Sequence, residues 1–263
     1  MLPHGGLTKH ARGGYNGKER FPQEREIAGG KAGWRRMRCS FYPNGDRAVS
    51  VVFPEEISQE VHRQVLALCR AIESAPKEGL LGCVPSYRAL LVEYDPLLLG
   101  YEEAVALISA VSPGEQDAPP VRTVRLPVCY GDEFGPDIGE VAAHAGLTAE
   151  EVIKRHAGGQ YLVYMLGFRP GFPYLGGMTP QLATPRKKSP RLSIAAGSVG
   201  IAGMQTGVYP EASPGGWNII GRTSVTLFSE QSGALLRPGD MLRFIPIGRE
   251  EYERLLKDGG WQI

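Results

Sequence analysis

Gly167-Phe168-Arg169-Pro170-Gly171-Phe172-Pro173-Tyr174-Leu175-Gly176-Gly177 is followed by Ala196-Gly197-Ser198-Val199-Gly200-Ile201-Ala202-Gly203, by Gln205-Thr206-Gly207-Val208-Tyr209-Pro210 and by Ser213-Pro214-Gly215-Gly216-Trp217. Closely set glycines let backbone approach backbone or a ligand and permit positive φ. The prolines fix φ and remove hydrogen-bond donors. A packed core needs neither at this density. Aromatic and polar side chains held between such turns mark the rim of a cleft, and short strands parted by Gly/Pro turns indicate a closed β-barrel or a sandwich.

Around that stretch, strands are expected at 161–168, 192–196, 198–202, 217–220, 223–228 and 241–245, with Arg237-Pro238-Gly239-Asp240 as one of the turns. Upstream, Val124, Leu126 and Val128 alternate with polar residues or proline, as in a half-buried strand. Two short helices come next. One covers 137–145. The other is opened by the capping box Thr148-Ala149-Glu150-Glu151, runs to Ala157 and stops at Gly158-Gly159. Only strands are expected after that, and no fixed-period repeat is visible.

Further out, Ser112-Pro113-Gly114 through Pro119-Pro120 reads as a linker, so one domain is placed at 39–118 and a second at 119–263. In the first, 48–53 is a β-rich run after the Asn44-Gly45-Asp46 turn. Ile57, Val61, Val65, Leu68 and Ile72 recur at helical spacing. Residues 87–94 form another strand, ended by Asp95-Pro96, and 80–84 offers a further short one. Tyr101, Val105, Ile108 and Val111 mark a second helix. Strand and helix alternating in this length suggest a ferredoxin-like α/β unit, so the whole is expected to be an α+β protein: that small unit, then the barrel. Residues 1–38 carry nine Lys or Arg against three Glu with only scattered apolar residues. They are expected to stay disordered, either as a basic tail that binds something acidic or as an extension ahead of a start at Met37.

The bulk numbers exclude several classes. The 263 residues allow one large domain or two ordinary ones, and 42% hydrophobic with 22% charged residues fits a soluble globular chain. Residues 39–263 hold 20 basic and 25 acidic side chains, a mildly acidic body that argues against nucleic acid as a partner. Cys39, Cys69, Cys83 and Cys129 form no C-x-x-C pair, so small buried hydrophobes in a reducing cytosol are expected rather than disulfides or zinc. No apolar run approaches the roughly 18–20 residues of a membrane span, and no signal-peptide core follows Met1. A cytoplasmic protein without membrane attachment is the expectation.

The candidate site residues lie in or beside the glycine-rich block. There is no G-x-x-x-x-G-K-[ST] loop, no G-x-G-x-x-G after a strand and no H-E-x-x-H. His156 falls in the last helical turn, where an imidazolium suits the dipole; its competing role is a polar group at the cleft edge. Arg169 and Arg222 either clamp a carboxylate or phosphate or are solvated turn residues. Tyr174, Gln205, Tyr209, Ser213 and Trp217 supply phenols, an amide, a hydroxyl and a stacking face, the sparse polar set that pockets combine with apolar walls. Trp217 and the tyrosines could equally pack the barrel end. Ser213 has no evident His/Asp partner, which speaks against a serine nucleophile. Phosphoryl transfer would ask of such a cleft mainly positioning and charge neutralisation.

Residues 45–247 resemble the KipI/PxpB family, also called allophanate hydrolase subunit 1-like proteins. The markers are Gly45-Asp46-Arg47-Ala48, Pro85-Ser86-Tyr87-Arg88-Ala89-Leu90-Leu91-Val92, Tyr130-Gly131-Asp132-Glu133-Phe134-Gly135-Pro136-Asp137 and the block from Gly167 to Phe228. Ala195 departs from the pattern, which usually has proline before Ala-Gly-Ser-Val-Gly. The resemblance implies a cyclophilin-like barrel for the C-terminal domain. It implies a subunit of ATP-dependent 5-oxoprolinase that works with a homologous PxpC/KipA-like partner to phosphorylate 5-oxoproline, while a PxpA-like third subunit opens the ring. ATP, with Mg, would then be a substrate of the complex, with no tightly bound cofactor. Relatives also sit in urea carboxylase and allophanate hydrolase-type enzymes, and one inhibits a sensor histidine kinase by binding it. The barrel shape alone does not license prolyl-isomerase activity.

Overall fold

The computed structural model describes residues 22–27, 37–54, 56–114, 117, 120–258 and 261. Its N-terminal unit contains β1 (Gln23–Ile27), β2 (Met37–Pro43), β3 (Ala48–Val52), α1 (Gln59–Ser74), β4 (Leu80–Pro85), β5 (Ala89–Tyr94) and α2 (Tyr101–Ser109). The strands pair antiparallel in the order β1-β2-β3-β5-β4. Val49 and Val51 of β3 and Leu90 and Val92 of β5 point to one face, as a period of two requires. There they meet the apolar stripe Val61, Val65, Leu68 and Ile72 of α1 and Val105 and Ile108 of α2. Ser58 caps α1, its Oγ accepting from Val61 N–H at 3.1 Å. The cap leaves Ile57, expected in the helical stripe, outside the helix and 55% exposed.

Two expectations change here. Residues 23–27 are ordered as β1, in register from Gln23 opposite Phe41 to Ile27 opposite Met37, and Ile27 is buried. Composition judged residues 1–38 in isolation. The exposed edge of β2 supplies the backbone partners the segment lacks by itself. The rest of 1–38, up to residue 36, lies outside the described residues apart from residue 22. The unit also departs from a simple ferredoxin-like β-α-β-β-α-β order, for the chain runs through three strands before α1 and leaves α2 directly for the linker.

The second unit comprises β6 (Thr123–Tyr130), α3 (Ile138–Ala145), α4 (Ala149–Ala157), β7 (Tyr161–Leu166), β8 (Pro173–Gly176), β9 (Arg191–Ile194), β10 (Ser198–Ala202), β11 (Gln205–Val208), β12 (Ser213–Gly215), β13 (Asn218–Arg222), β14 (Phe228–Ser229), β15 (Gly233–Ala234), β16 (Met241–Pro246) and α5 (Arg249–Asp258). Seven strands close a barrel in the order β10-β11-β8-β7-β16-β6-β13. Closure removes the free edges that so many short strands would otherwise expose. Val124, Leu126 and Val128 fill its interior with Val163, Val199, Ile201 and Phe244. The Thr148 capping box forms as expected, with Glu151 N–H to Thr148 Oγ1 at 3.2 Å and Thr148 N–H to Glu151 Oε2 at 2.8 Å. Gly197 has φ 78°, and a Cβ there would lie 2.1 Å from the Thr223 carbonyl oxygen. Only glycine lets those two loops touch.

The expected strand over 223–228 is absent apart from Phe228, and strands are not all that follows Gly159. A 3-10 turn occupies Pro180–Leu182 and α5 closes the domain. The α5 sequence is too polar to stand out. It buries Tyr252 and Leu255, the tyrosine ring meeting Phe134 at 4.6 Å.

Candidate functional site at the seam of the two units

The tight β4–β5 turn drives its side chains into the barrel wall. Ser86 N–H donates to Ala89 O at 2.8 Å, and Arg88 Nη1 to Phe53 O at 2.9 Å, which fixes the turn. Ser86 Oγ then reaches Met165 Sδ at 3.6 Å on β7. The Tyr87 hydroxyl accepts from Gln205 Nε2 on β11. The Tyr87 ring lies 5.0 Å from that of Tyr164, and Tyr164 lies 4.9 Å from His62 of α1. Burial, with Tyr174 and Tyr164 adding to it and Gln205 opposing, pushes the Tyr87 phenol up to about 12. It is a neutral hydrogen-bonding group at any physiological pH.

From Tyr174 on β8 a second aromatic group continues. Phe172 stands edge-on to Tyr174 at 5.2 Å, to Tyr209 at 5.3 Å and to Trp217 at 5.5 Å. Edge-to-face geometry suits ring quadrupoles, and Tyr209 and Trp217 are buried. These two therefore act as packing beneath the rim. Burial pushes the Tyr209 phenol up to about 12, with Arg186 and Arg191 opposing. Ser213 is buried with its Oγ unpartnered. Arg169 is part exposed, paired with Glu211 at 3.4 Å and set 5.8 Å over the ring of Phe168. Phe168 itself has φ 66°. That is a strained conformation for an aromatic residue and of the kind that clusters at functional loops.

The other two candidates lie apart. His156 is not at a cleft edge. It is fully buried inside the barrel, 4.6 Å from and stacked on Phe244. The Thr206 hydroxyl donates to Gly200 O at 3.0 Å, so at 2.8 Å it must accept from His156 Nε2–H. That leaves Nδ1 to accept from Tyr130 O–H at 2.8 Å. Burial lowers the imidazole to about 3. It is neutral, and the imidazolium that a helix C-terminus would favour does not form. Arg222 belongs to another corner, 5.9 Å over Phe134, with its Nε buried and unpartnered.

Sequence reasoning missed His62, Tyr87 and Tyr164. Pro85-Ser86-Tyr87-Arg88 was the available signal, but nothing in one sequence says which strand that turn touches. His62 is 1% exposed. Its Nδ1 lies 3.2 Å from the Ser86 carbonyl. A carbonyl only accepts, so Nδ1 carries the proton. Burial lowers its pKa against the opposing carbonyls of Ser86, Val163 and Tyr87. The neutral ring leaves Nε2 as a bare acceptor, and it has no partner. An unmatched buried polar atom of this kind costs about 1–3 kcal/mol. His62 is one of the residues around a cavity of about 220 Å³ between α1 and the barrel, walled also by Leu66, Leu162 and Met241, though Nε2 itself is buried away from it. A wider cleft of about 540 Å³ opens at the end of α4 beside Lys154, Arg155, Gly158, Gly159 and Gly177.

Away from the seam, Asp137 anchors the two-stranded ribbon that β9 forms with antiparallel β12. Arg191 grips it through two bonds of 2.8 and 2.7 Å, Lys187 Nζ lies 2.8 Å away, and Ile219 N–H donates at 2.7 Å. Burial alone would raise this carboxyl; Arg191, Lys187 and the Ile219 amide overturn that and hold it below its usual range. Among the described residues no three His, Cys, Asp or Glu side chains gather as a metal site, and no helix is long and apolar enough to cross a membrane.

Residues 39–236 match the family described as carboxyltransferase domain, subdomain C and D. The 5-oxoprolinase B subunit of Bacillus subtilis is 46% identical over 79% of this chain and 92% of its own length. The crystal structure of TTHA0988 superposes with TM-score 0.68 at 41% identity, over 76% of this chain but 40% of that longer one. The Kluyveromyces lactis urea amidolyase superposes with TM-score 0.70 at 21% identity, over 84% of this chain and 16% of the enzyme, a likeness of fold.

Proposed function

We propose, from the premise that this chain belongs to the carboxyltransferase-domain family that includes the 5-oxoprolinase B subunits, that it is the B subunit of an ATP-dependent 5-oxoprolinase and acts only within that assembly. The observation that carries this reading is the 46% identity spanning 92% of a relative bearing that name. The chemistry would proceed by attack of the lactam oxygen on the γ-phosphorus of ATP, with ADP leaving. Two waters would then convert the phosphorylated ring to glutamate and phosphate in the ring-opening subunit. Such transfer relies on positioning and charge neutralisation rather than covalent help.

The seam offers groups suited to positioning: the Gln205 amide, the phenols of Tyr87 and Tyr174, and beyond them the guanidinium of Arg169. The chain lacks both standard phosphate-binding loops, which fits a nucleotide site completed by the homologous partner subunit, with Mg accompanying ATP as substrate. Four free cysteines are consistent with a reducing cytoplasm.

The test combines the purified chain with its second subunit and the ring-opening subunit. ADP release should depend on 5-oxoproline and cease when this chain is omitted. Absence of any 5-oxoproline-dependent ADP release from the full assembly would sink the reading.

A further inference from the structure

We propose that Cys69 of α1 and Cys83 of β4 are a redox-sensitive pair, which a peroxide closes into an intramolecular disulfide and a small thiol reopens. All four cysteines are free thiols, and no short spacing in the sequence marks any two of them as partners. The fold brings these two together. Cys69 lies on the face of α1 that packs on the sheet and is 6% exposed. Cys83, on β4, is part-buried and packs against the same cluster. The two thiols stand within hydrogen-bonding reach, and that contact, ahead of burial, holds the Cys69 thiol far above its usual range. Cys69 Sγ also donates to Glu73 Oε1 at 3.5 Å, one turn further along α1. Cys39 belongs to the same cluster, but burial alone pushes it up, to about 12. Cys129 sits in the other unit, beside Phe134 and Tyr252.

The two environments divide the chemistry. Cys83 is the more exposed thiol, so a peroxide meets it first. Its thiolate attacks the peroxide. An S–O bond forms, the O–O bond breaks, and the expelled oxygen leaves as water once protonated. The product is a sulfenic acid. Cys69, kept as S–H by its surroundings, then attacks that sulfur. The S–S bond forms, the S–O bond breaks, and the departing hydroxide takes the Cys69 proton. Two thiols and one peroxide thus give one disulfide and two waters. In a reducing compartment such a bond is transient and suits a sensor. The strand is free to follow the closure. β4 is an edge strand bonded only to β5, and its register already slips between Leu80 and Gly82, just before Cys83. It can move toward α1 without breaking a second ladder. The turn that begins at Pro85 carries Tyr87 to Gln205, so the disulfide clamps to α1 the strand that presents Tyr87 to the barrel.

The experiment treats the full chain with hydrogen peroxide, blocks the remaining thiols by alkylation and maps peptides without reductant. One link should join the peptides that carry Cys69 and Cys83. The intact mass should fall by two hydrogens, and dithiothreitol should restore it. Amide hydrogen exchange along β4 should slow in the linked protein and recover on reduction. Cys83→Ser should leave Cys69 unmodified under the same treatment. Cys69→Ser should accumulate a Cys83 sulfenic acid that dimedone traps and that the parent does not retain. The parent's peptide map decides the matter even where Cys69→Ser fails to fold. A folded parent that keeps all four thiols overturns the proposal. So does one that carries Cys83 on to a sulfinic acid without linking, or one that links through Cys39 or Cys129 or between chains. A Cys69–Cys83 link that leaves exchange along β4 unchanged overturns the clamp.

Discussion

Among the described residues two histidines are buried, and they differ in how far they are satisfied: His156 has a hydrogen-bond partner on both nitrogens and His62 on one. Tyr130, His156, Thr206 and Gly200 form a closed chain of donors and acceptors inside the barrel, and a satisfied buried network fixes one arrangement of the core. The His156 pKa is lowered to about 3 in the folded protein, against 6.5 for a free imidazole. Between those values the unfolded chain binds the extra proton, so stability rises with pH there. Full stability is present above about pH 6.5 and is lost on acidification toward 3, by roughly 1.4 kcal/mol per pH unit per such group. His62, shifted the same way, adds to the slope. Urea unfolding of the parent protein from pH 7.5 to 5 should show this fall, and His156→Gln should flatten it while lowering stability overall. A parent curve independent of pH in that range would contradict the neutral, buried imidazole.

Among the elements, the strand β9 and the loop before it matter most, because a single carboxylate pins them. Asp137 caps the start of α3 in sequence, yet its oxygens are taken up by Arg191, Lys187 and the Ile219 amide of β13. It thereby ties helix, barrel wall and ribbon together, and Ile194 of the ribbon packs in one buried cluster with Tyr209 and Trp217. Asp137→Asn should destabilise the fold by about 1.5–3 kcal/mol, since it removes the charge that Arg191 and Lys187 share, although Lys187 keeps Glu140. Thermal unfolding checks this; a melting temperature within a degree or two of the parent would show the ribbon to be held by other contacts. Most elements could be read from pattern. The stripe Val61, Val65, Leu68 and Ile72 specified α1, and Thr148 with Glu151 specified the start of α4. β1 could not be read that way, because Gln23–Ile27 becomes a strand through pairing with residues 37–41, and no local property of QEREI announces that partner. The α5 helix escaped for the opposite reason: it buries so little that its apolar period is faint.

Across the whole molecule, the seam couples the two units. Tyr87 crosses it to Gln205 and Tyr164. Tyr87→Phe keeps the ring and removes the hydroxyl. It should lower unfolding free energy by about 1 kcal/mol and reduce turnover of the full assembly several-fold, with limited proteolysis in the 112–121 linker becoming faster. Unchanged proteolysis and turnover would show that the units are held without this bond.

The sequence by itself determined a small α/β unit ahead of a domain of short strands, barrel or sandwich, with the family resemblance favouring the barrel, and also the glycines that let its loops touch, most helix boundaries, and the family. These are properties of neighbouring residues: periodicity, caps, turns and motifs all act within about a dozen positions. Which candidates share a site was decided only by tertiary structure. His156 was carried into the core, Arg222 to the α5 corner, and Tyr209 and Trp217 beneath the rim. His62, Tyr87, Tyr164 and Gln205 were brought into one line from positions far apart in the chain. The physical reason is that burial and hydrogen-bond satisfaction depend on which surfaces meet, and barrel closure and docking of the β4–β5 turn choose those surfaces among elements that carry no local record of each other.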